Sequence, residues 1–266
     1  MSTSVDQSFV AQYEREVHEV FQRKGSKLMP TIRRKPNVKG STTTFQKIGK
    51  GVATTKSRHG LITPMNQSHT PVSVTLQDFY AGDYFDKLDE AKINHDERRV
   101  IVNGGVWALA RKVDNQIATT LDTTTNNEAH ASTSLTRAKI LSAVETLGDN
   151  DVFEEGRMFV TLGWNAWNDL LTLNEFAQAE YVGGQLPWLD GTEAKRWMGI
   201  MWIPSSLTND VKSGSTFLSF MYHEDAVGYA MAPGISTDIT WQGPRAAWFI
   251  NSVMIDDNAV VEIQHQ

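Results

Sequence analysis

The chain contains no cysteine, and this absence removes several kinds of chemistry at once. Disulfide bonds, thiol nucleophiles and cysteine-ligated zinc sites are all excluded. No run of apolar residues approaches the roughly 18 to 20 that a membrane-spanning helix needs. The first residues, MSTSVDQ, lack the basic and apolar regions of a secretory signal peptide. We therefore expect neither secretion by that route nor a membrane partner.

Acidic residues are absent from one long segment of the chain. Between positions 22 and 77 there is no Asp or Glu, although the whole chain has 31 of them against 25 Lys and Arg. This segment has a charge of +11, and the remaining 14 basic and 31 acidic residues give the rest of the chain −17. The residues of this basic segment that carry the charge are Arg23, Lys24, Lys27, Arg33, Arg34, Lys35, Lys39, Lys47, Lys50, Lys56 and Arg58.

A hydrophobic core does not need charge to be segregated in this way. The pattern indicates that the basic segment contacts an acidic surface, either nucleic acid or the acidic body of another copy of the chain. A simple solvated face is the third interpretation. The sequence alone leaves these three open.

Motifs for catalysis and for cofactor or metal binding are also lacking. The stretch IGKGVATT has neither the spacing of a phosphate-binding loop nor a following helix. His59 and His69 have no carboxylate within their loop, and His223 has no second histidine at helical spacing. The pair Asp256 and Asp257 lies in turn-like sequence, where Asp favours the backbone geometry. We predict no catalytic residues, no cofactor and no metal site.

The first third of the chain is predicted to form a helix, an extended arm and a ribbon. Apolar residues at helical spacing predict a helix over Val5–Phe21, and prolines in LMPTIRRKPNVKG indicate an extended arm. Thr42–Ile48 and Val72–Leu76 are typical of two paired strands. Both faces of the first strand are largely polar, so we expect the ribbon to take its stability from another subunit.

The middle of the chain is predicted to be helical. The strongest helical region runs over Asp83–Leu121, with Asp96 as a cap inside it. Gly104 and Gly105 mark either a bend or a place where another backbone passes close. A second helix is predicted over Leu135–Leu147, capped by Ser134.

The rest of the chain alternates between strands and a short helix, which predicts an α+β fold. The last strands, Ala246–Ile255 and Val260–Gln264, are predicted to form a hairpin that turns at 256–258. The other predicted elements are strands at Arg157–Leu162, Arg196–Ile203, Thr216–Tyr222 and Ala226–Met231, and a helix at Asn165–Leu173.

The order of these parts carries a resemblance. The run TPMNQSHTPVSVTLQDFYAGDYFD leads into HDERRVIVNGGVWALARKVDNQIATTLD, whose helix ends with Val113, Asp114 and Ile117. The tail MAPGISTDITWQGPRAAWFINSVMIDDNAVVEIQHQ follows a compact α/β region. Together they resemble the major capsid proteins of tailed double-stranded DNA phages, which have the Hong Kong phage-type capsid fold.

The resemblance implies a domain organisation and a function. It implies an N-terminal arm at 1–39, an extended two-stranded loop at 40–74, a peripheral domain with a long spine helix at 75–155 and 242–266, and an axial domain at 156–241. The implied function is a virion shell built from hexamers and pentamers of this chain around the phage genome, assembled in the cytoplasm of a host bacterium.

The resemblance also implies the partners. They are other copies of the chain, packaged double-stranded DNA bound without sequence specificity, and scaffolding, portal and decoration proteins. A nanocompartment shell of the same fold, enclosing enzyme cargo, is the first alternative function. A DNA-binding protein that uses the basic arm is the second, although the acidic body would repel phosphate.

Overall fold

The computed structural model describes residues 25–90, 97–124, 134–177, 195–206, 212–213, 216–233 and 236–261. The predicted helix Val5–Phe21 and the predicted cap Asp96 lie outside these residues. The described part combines helices with largely antiparallel sheets, which confirms the predicted α+β class.

The described elements are numbered in chain order. The helices are α1 (Lys87–Glu90), α2 (Glu97–Asp122), α3 (Arg137–Asp149), α4 (Trp164–Leu171) and α5 (Asn174–Ala177). The strands are β1 (Arg33–Lys35), β2 (Thr42–Ile48), β3 (His69–Thr75), β4 (Gln77–Asp86), β5 (Met158–Leu162), β6 (Lys195–Trp197), β7 (Ile200–Pro204), β8 (Lys212–Ser213), β9 (Thr216–Phe217), β10 (Phe220–His223), β11 (Val227–Met231), β12 (Ser236–Gln242) and β13 (Ala247–Val260). Short 3₁₀ turns occupy Met29–Thr31, Glu224–Ala226 and Gly243–Arg245.

The long strand β13 is the axis of a five-stranded sheet. Strand β4 pairs along one edge of β13, while β12 and β11 pair in succession along the other. Strand β1 joins the sheet parallel to β11. Helix α2 packs on one face of this sheet, because the residues Leu109, Val113, Ile117 and Leu121 recur at helical steps and are all buried.

One of the two glycines in α2 allows this close packing. A Cβ atom at Gly105 would lie 3.1 Å from the carbonyl oxygen of Ala81 in β4 and 3.0 Å from the Ser252 hydroxyl. A Cβ at Gly104 would meet nothing within 4 Å. Of the two predicted explanations, close approach of another backbone is therefore the correct one for Gly105.

The prediction of a continuous helical region over Asp83–Leu121 is wrong at its start. Residues 77–86 form β4, and all ten pair with β13. Alternate residues of β4 are directed inward: Phe79 and Ala81 pack on the core that α2 also covers, and Phe85 is buried. Their period of two identifies a strand.

The predicted C-terminal hairpin is also wrong, because β13 runs without a turn through 256–258. Polar residues are accommodated in this buried strand by partners on neighbouring elements. Tyr229 donates a hydrogen bond of 2.6 Å to Asp256, and Thr120 donates one to the side-chain oxygen of Asn258. Asp and Asn therefore mark buried hydrogen bonds here, although the same residues usually favour turns.

A second, four-stranded sheet has the order β10–β5–β7–β6. It forms a separate core with α3, α4 and α5, in which Trp167, Phe176 and Trp202 are buried. The predicted strand Arg196–Ile203 is a hairpin, since Met198 and Gly199 both have positive φ, at 54° and 74°, and turn the chain between β6 and β7. These are the signs of φ that a two-residue hairpin turn requires.

Helix α3 begins later than predicted. Its N-cap is Thr136 rather than Ser134, and the Thr136 hydroxyl accepts a hydrogen bond of 3.5 Å from the backbone N–H of Lys139. The helix ends at Asp149 rather than Leu147.

Candidate functional site

The basic segment is the candidate functional region, and a buried carboxylate fastens its start to the body. Asp114 in α2 is fully buried. It accepts hydrogen bonds from the Ser26 hydroxyl, from Lys27 N–H at 3.0 Å and from Leu28 N–H at 3.1 Å. Hydrogen bonds to a charged acceptor are stronger than neutral ones. Asp114 therefore fixes where the chain enters the body.

A second contact holds the next residues in place. The Thr31 hydroxyl donates to the carbonyl of Leu28 at 2.6 Å and lies 2.7 Å from the Tyr222 hydroxyl, which donates to it. Both side chains are buried, and burial raises the pKa of Tyr222. Beyond this point the chain continues as β1, which pairs with β11.

The base of the β2–β3 ribbon packs on the body of its own chain. Phe45 and Val74 are buried together with Ala230 and Val261. Gly228 makes room for the phenyl ring, because a Cβ there would lie 2.8 Å from the ring of Phe45. The expectation of a ribbon stabilised by another subunit is therefore wrong for its base, since β2 buries Phe45 within its own chain.

Two of the predicted basic residues lie over this aromatic ring. The Arg33 guanidinium and the Lys35 ammonium are each 5.8 Å from the centroid of Phe45. Lys35 also donates a hydrogen bond of 2.6 Å to the Thr43 hydroxyl. Cation–π contacts of this kind stabilise by ~0.5–1 kcal/mol at exposed sites. They join the arm to the ribbon.

Beyond its base the ribbon exposes apolar side chains. We call residues 49–68 the ribbon tip; a hydrogen bond of 2.8 Å from Gly49 N–H to the carbonyl of Ser68 closes it. Leu61 is 95% exposed and Ile62 75% exposed, and Val52 and Met65 are exposed as well. Exposed apolar side chains grouped in one segment are typical of an interaction surface.

One lysine of the ribbon tip contacts the distant end of α3. Lys50 forms an ion pair of 2.9 Å with Asp151 and donates a hydrogen bond of 3.2 Å to the carbonyl of Asn150, the C-cap of α3. Both charged side chains of the ion pair are exposed. Exposed pairs of this kind stabilise by only ~0.2–1 kcal/mol.

The other predicted basic residues are spread along the surface. Arg23 and Lys24 lie outside the described residues. Lys27 donates a hydrogen bond of 3.4 Å to the carbonyl of Pro204. Apart from Arg33, whose contact is with the Phe45 ring, five basic side chains of the segment make no hydrogen bond or ion pair within the described part of the chain. These are Arg34, Lys39, Lys47, Lys56 and Arg58.

The acidic body contains a charge network that the sequence did not predict. The Arg157 guanidinium contacts Glu154, Glu224 and Asp225 at 3.1, 3.2 and 2.7 Å. The hydrogen bond that Arg157 donates to Glu224 is the main cause of the raised pKa of Arg157. The network joins the turn before β5 to the turn after β10, which gives it a structural role. Glu224 and Asp225 are 67 and 68 positions away from Arg157 in the sequence. No local sequence pattern therefore indicates the network.

A second buried carboxylate, Asp256, lies between α2 and the sheet. It is fully buried and accepts one hydrogen bond from Tyr229, while its Oδ1 has no partner within the described residues. Burial raises the pKa of Asp256 to about 6, although Tyr229 and Lys112 act against the increase. Desolvation also raises the pKa of its neighbour Asp257.

The described residues offer neither a metal-binding cluster nor a helix that could span a membrane. Within the described ranges, no three His, Asp or Glu side chains come close enough together to bind a metal ion. None of the helices in these ranges has both the length and the apolar character that crossing a membrane requires.

Solved structures with the same fold come from phages and related particles. The capsid of the cyanophage P-SCSP1u has a TM-score of 0.72 at 16% identity, and the match covers 99% of this chain and 93% of that one. A chain from Mycobacterium phage Che8 has a TM-score of 0.72 at 16% identity, covering 94% and 92%. The capsid of a native GTA particle has a TM-score of 0.65 at 10% identity, covering 99% and 96%. These similarities identify the Hong Kong phage-type capsid fold.

Sequence identities of 10–16% establish a shared fold but not membership of a family, and a comparison with family models gives that membership. No curated protein sequence matches the chain. The model of the family described as phage capsid protein matches residues 5–266, which is nearly the whole sequence. The fold is the one expected from the resemblance in the spine helix and the C-terminal strands. The chain belongs to the phage capsid protein family.

Proposed function

We propose that this chain is the major capsid protein that assembles, as hexamers and pentamers, into an icosahedral shell around a double-stranded DNA genome. The observation that carries the proposal is the ribbon. Its base is buried on its own body through Phe45, whereas its tip exposes apolar side chains such as Leu61 and carries only positive charge. A segment built in this way needs a partner with an acidic surface.

The rest of the chain supplies such a surface. Residues outside the basic segment have a charge of −17, so one copy attracts the basic segment of another. The contact joins two different patches, and contacts of that kind build rings when the rotation between successive copies closes. Each ion pair stays weak, which lets subunits correct their positions during growth. The proposed main role of the basic segment is therefore contact between subunits.

We also propose the domain division that the resemblance implied. The arm is 1–39, the extended loop 40–74, the peripheral domain 75–155 with 242–266, and the axial domain 156–241. The two separate cores support a division of the body, since one surrounds α2 and β13 and the other surrounds β5 and β7.

DNA is proposed as a second partner of the arm. Arg34 and Lys39 are exposed and make no ion pair with another described residue, so they are free to neutralise phosphate. Contacts of this kind do not depend on base sequence. Scaffolding, portal and decoration proteins complete the proposed set of partners, and assembly is proposed to occur in the host cytoplasm.

Charge reversal in the arm tests the proposal. We expect the variant with Arg33, Arg34 and Lys35 replaced by Glu to remain folded and soluble but to form no shells. Circular dichroism and electron microscopy measure the two properties separately. Shells of normal number and size from this variant would refute the proposed role of the arm. Wild-type shells that hold protein cargo instead of nuclease-resistant DNA would favour the nanocompartment function.

A further inference from the structure

One buried histidine has no role in the contacts described so far. His223 is the last residue of β10 and is only 7% exposed. Its Nδ1 accepts a hydrogen bond of 3.1 Å from the backbone N–H of Asp225, so the ring caps the 3₁₀ turn Glu224–Ala226. A ring nitrogen that accepts carries no proton, and the proton of the neutral ring is therefore on Nε2. Nε2 lies 3.4 Å from the carboxylate of Glu154.

The turn that His223 caps is a direct connection between the two sheets. Through these three residues the chain passes from β10, in the four-stranded sheet, to β11, in the five-stranded sheet. Glu224 N–H donates a hydrogen bond of 3.0 Å to the carbonyl of Arg157, immediately before β5. Val261 N–H, immediately after β13, donates one of 2.8 Å to the carbonyl of Ala226. The turn is thus bonded to both sheets, and its geometry sets the orientation of one sheet relative to the other.

Carboxylates lie beside both nitrogens of the imidazole ring. Among the described residues, the charged groups nearest to the ring are Glu154 at Nε2 and Asp225, whose Oδ2 lies 3.8 Å from Nδ1. Arg157 contacts both of these carboxylates and also that of Glu224. On β5, the residue opposite the ring is the apolar Met158. A protonated ring therefore has a carboxylate acceptor within reach of each N–H group.

The two charge states of the ring require different arrangements of the turn. The neutral ring accepts from the backbone N–H of Asp225, whereas the protonated ring carries a proton on Nδ1 and cannot accept. Two donors would then face each other, and the backbone N–H would lose its acceptor. Turning Nδ1–H to the Asp225 carboxylate removes this conflict, and that carboxylate is the one that now binds Arg157 at 2.7 Å. Histidine is the side chain that ordinarily changes charge between pH 5 and 8.

We propose that His223 is a proton-operated latch on the orientation of the two sheets. The neutral ring caps the turn and fixes the orientation seen in the structure. The protonated ring gives up the cap and binds the Asp225 carboxylate, and the four-stranded sheet then rotates about the turn. All groups of the latch belong to one subunit, so the inference does not depend on the proposed shell function. In a shell, the latch makes the shape of each subunit depend on pH.

Hydrogen exchange of the full chain at pH 8 and pH 5 tests the cap. Each rate is divided by the intrinsic exchange rate at the same pH, because that rate itself depends on pH. We expect protection of the Asp225 amide to fall about fivefold at pH 5, the factor that corresponds to the loss of one N-cap. In His223→Asn we expect constant protection, because Asn is a good N-cap and binds no proton in this range. The amide of Trp167, which donates to the Gly163 carbonyl, is the internal reference and is expected to stay unchanged.

A distance between the sheets tests the rotation. The chain has no cysteine, so Arg196→Cys in β6 and Thr240→Cys in β12 place one spin label at an exposed position on each sheet. Labelled chains are diluted with unlabelled ones, so that the distance within one chain is measured. We expect double electron–electron resonance to give different distances at pH 5 and pH 8, and equal distances once His223→Asn is added. The pKa of Asp256 lies in the same range, so Asp256→Asn is the matched control and is expected to keep the pH dependence.

Each outcome supports or overturns the latch. Loss of protection at Asp225 together with a changed distance, both absent from His223→Asn, supports it. A pH dependence that persists in His223→Asn belongs to another group, and constant protection in the wild type means that the ring keeps its cap; either result overturns the proposal. Loss of the cap without a change in distance also overturns it. If His223→Asn does not fold, the wild-type chain decides, because equal loss of protection at Trp167 and Asp225 would indicate general unfolding and not a latch.

Discussion

Replacing Asp114 is expected to release the start of the arm from the body. Three groups donate to this buried carboxylate: the Ser26 hydroxyl and the backbone N–H groups of Lys27 and Leu28. In an Asp114→Ala variant these donors lose their acceptor, and Leu28 N–H is buried. An unsatisfied buried donor costs about 1–3 kcal/mol, and hydrogen bonds to charged groups contribute about 1.5–3 kcal/mol each.

These terms are not additive, because the Ser26 and Lys27 groups are only partly buried and can reach water. We expect the free energy of unfolding to fall by about 3–5 kcal/mol in Asp114→Ala. Asp114→Asn keeps one oxygen acceptor but turns an amide N–H toward the Lys27 N–H. Its cost is expected to be smaller, about 2 kcal/mol.

Urea denaturation of free subunits, followed by tryptophan fluorescence, measures this difference. Hydrogen exchange at the amides of Lys27 and Leu28 shows whether the loss is local to the arm. Asp122→Ala, at the exposed end of the same helix, is the matched control and is expected to change stability by less than about 0.5 kcal/mol. An Asp114→Ala variant with unchanged midpoint and unchanged exchange would refute the anchoring role.

Three further predictions concern the buried carboxylate of Asp256, the buried ring of Phe45 and the exposed charges. Burial raises the pKa of Asp256 in the folded state to about 6, against a usual value of 3.8. The folded state therefore binds this proton more tightly than the unfolded state does. As a result, the free energy of unfolding of the wild type falls as pH rises from about 4 to about 6. The total decrease in the free energy of unfolding over this pH range is about 3 kcal/mol. Unfolding of Asp256→Asn measured at several pH values is expected to lack this decrease. If the free energy of unfolding of the variant falls with pH as steeply as that of the wild type, Asp256 is not the source. Phe45→Ala is expected to lower the free energy of unfolding by about 3–4 kcal/mol and to speed trypsin cleavage at Lys47 and Lys50. Equal cleavage rates in the variant and the wild type would contradict this prediction. Raising salt from 0.1 M is expected to slow shell formation more than it lowers the melting temperature, because charges at exposed contacts are screened over about 10 Å. Light scattering that shows no dependence on salt would contradict the electrostatic part of the account.

The sequence predicted the elements whose pattern is local. Strand β2 was predicted with its observed bounds, Thr42–Ile48, because the segment is rich in β-branched residues. Helix α2 was predicted from apolar residues at helical spacing. The close approach of another backbone was one of two explanations given for Gly104 and Gly105, and the structure shows that backbone to be β4 at Gly105. Local periodicity was sufficient in both cases.

The sequence misled where a distant partner decides the structure. Asp256 and Asn258 read as a turn because their partners, Tyr229 and Thr120, are 27 and 138 positions away. Phe45 read as an isolated apolar residue on a polar strand, because the Gly228 position that receives its ring lies far along the chain. No pattern within one element contains this information.

The candidate site was predicted as a charge distribution and not as a geometry. The absence of acidic residues identified the basic segment. It did not predict that Arg33 and Lys35 lie over Phe45, or that Lys50 contacts Asp151. Asp114 was noted as part of the spine-helix pattern, and its role in holding the arm was missed. A buried Asp within an apolar helical stripe is the signal that points to such an anchor, since a buried carboxylate requires donors.

The central claim is that copies of this chain build a closed shell. Size-exclusion chromatography with light scattering, and negative-stain images of the peak, measure this directly on the purified chain. The account predicts hollow particles of megadalton mass, or discrete pentamers and hexamers that convert to such particles as protein concentration rises. A single species of 29.7 kDa at every protein concentration and salt concentration would contradict it.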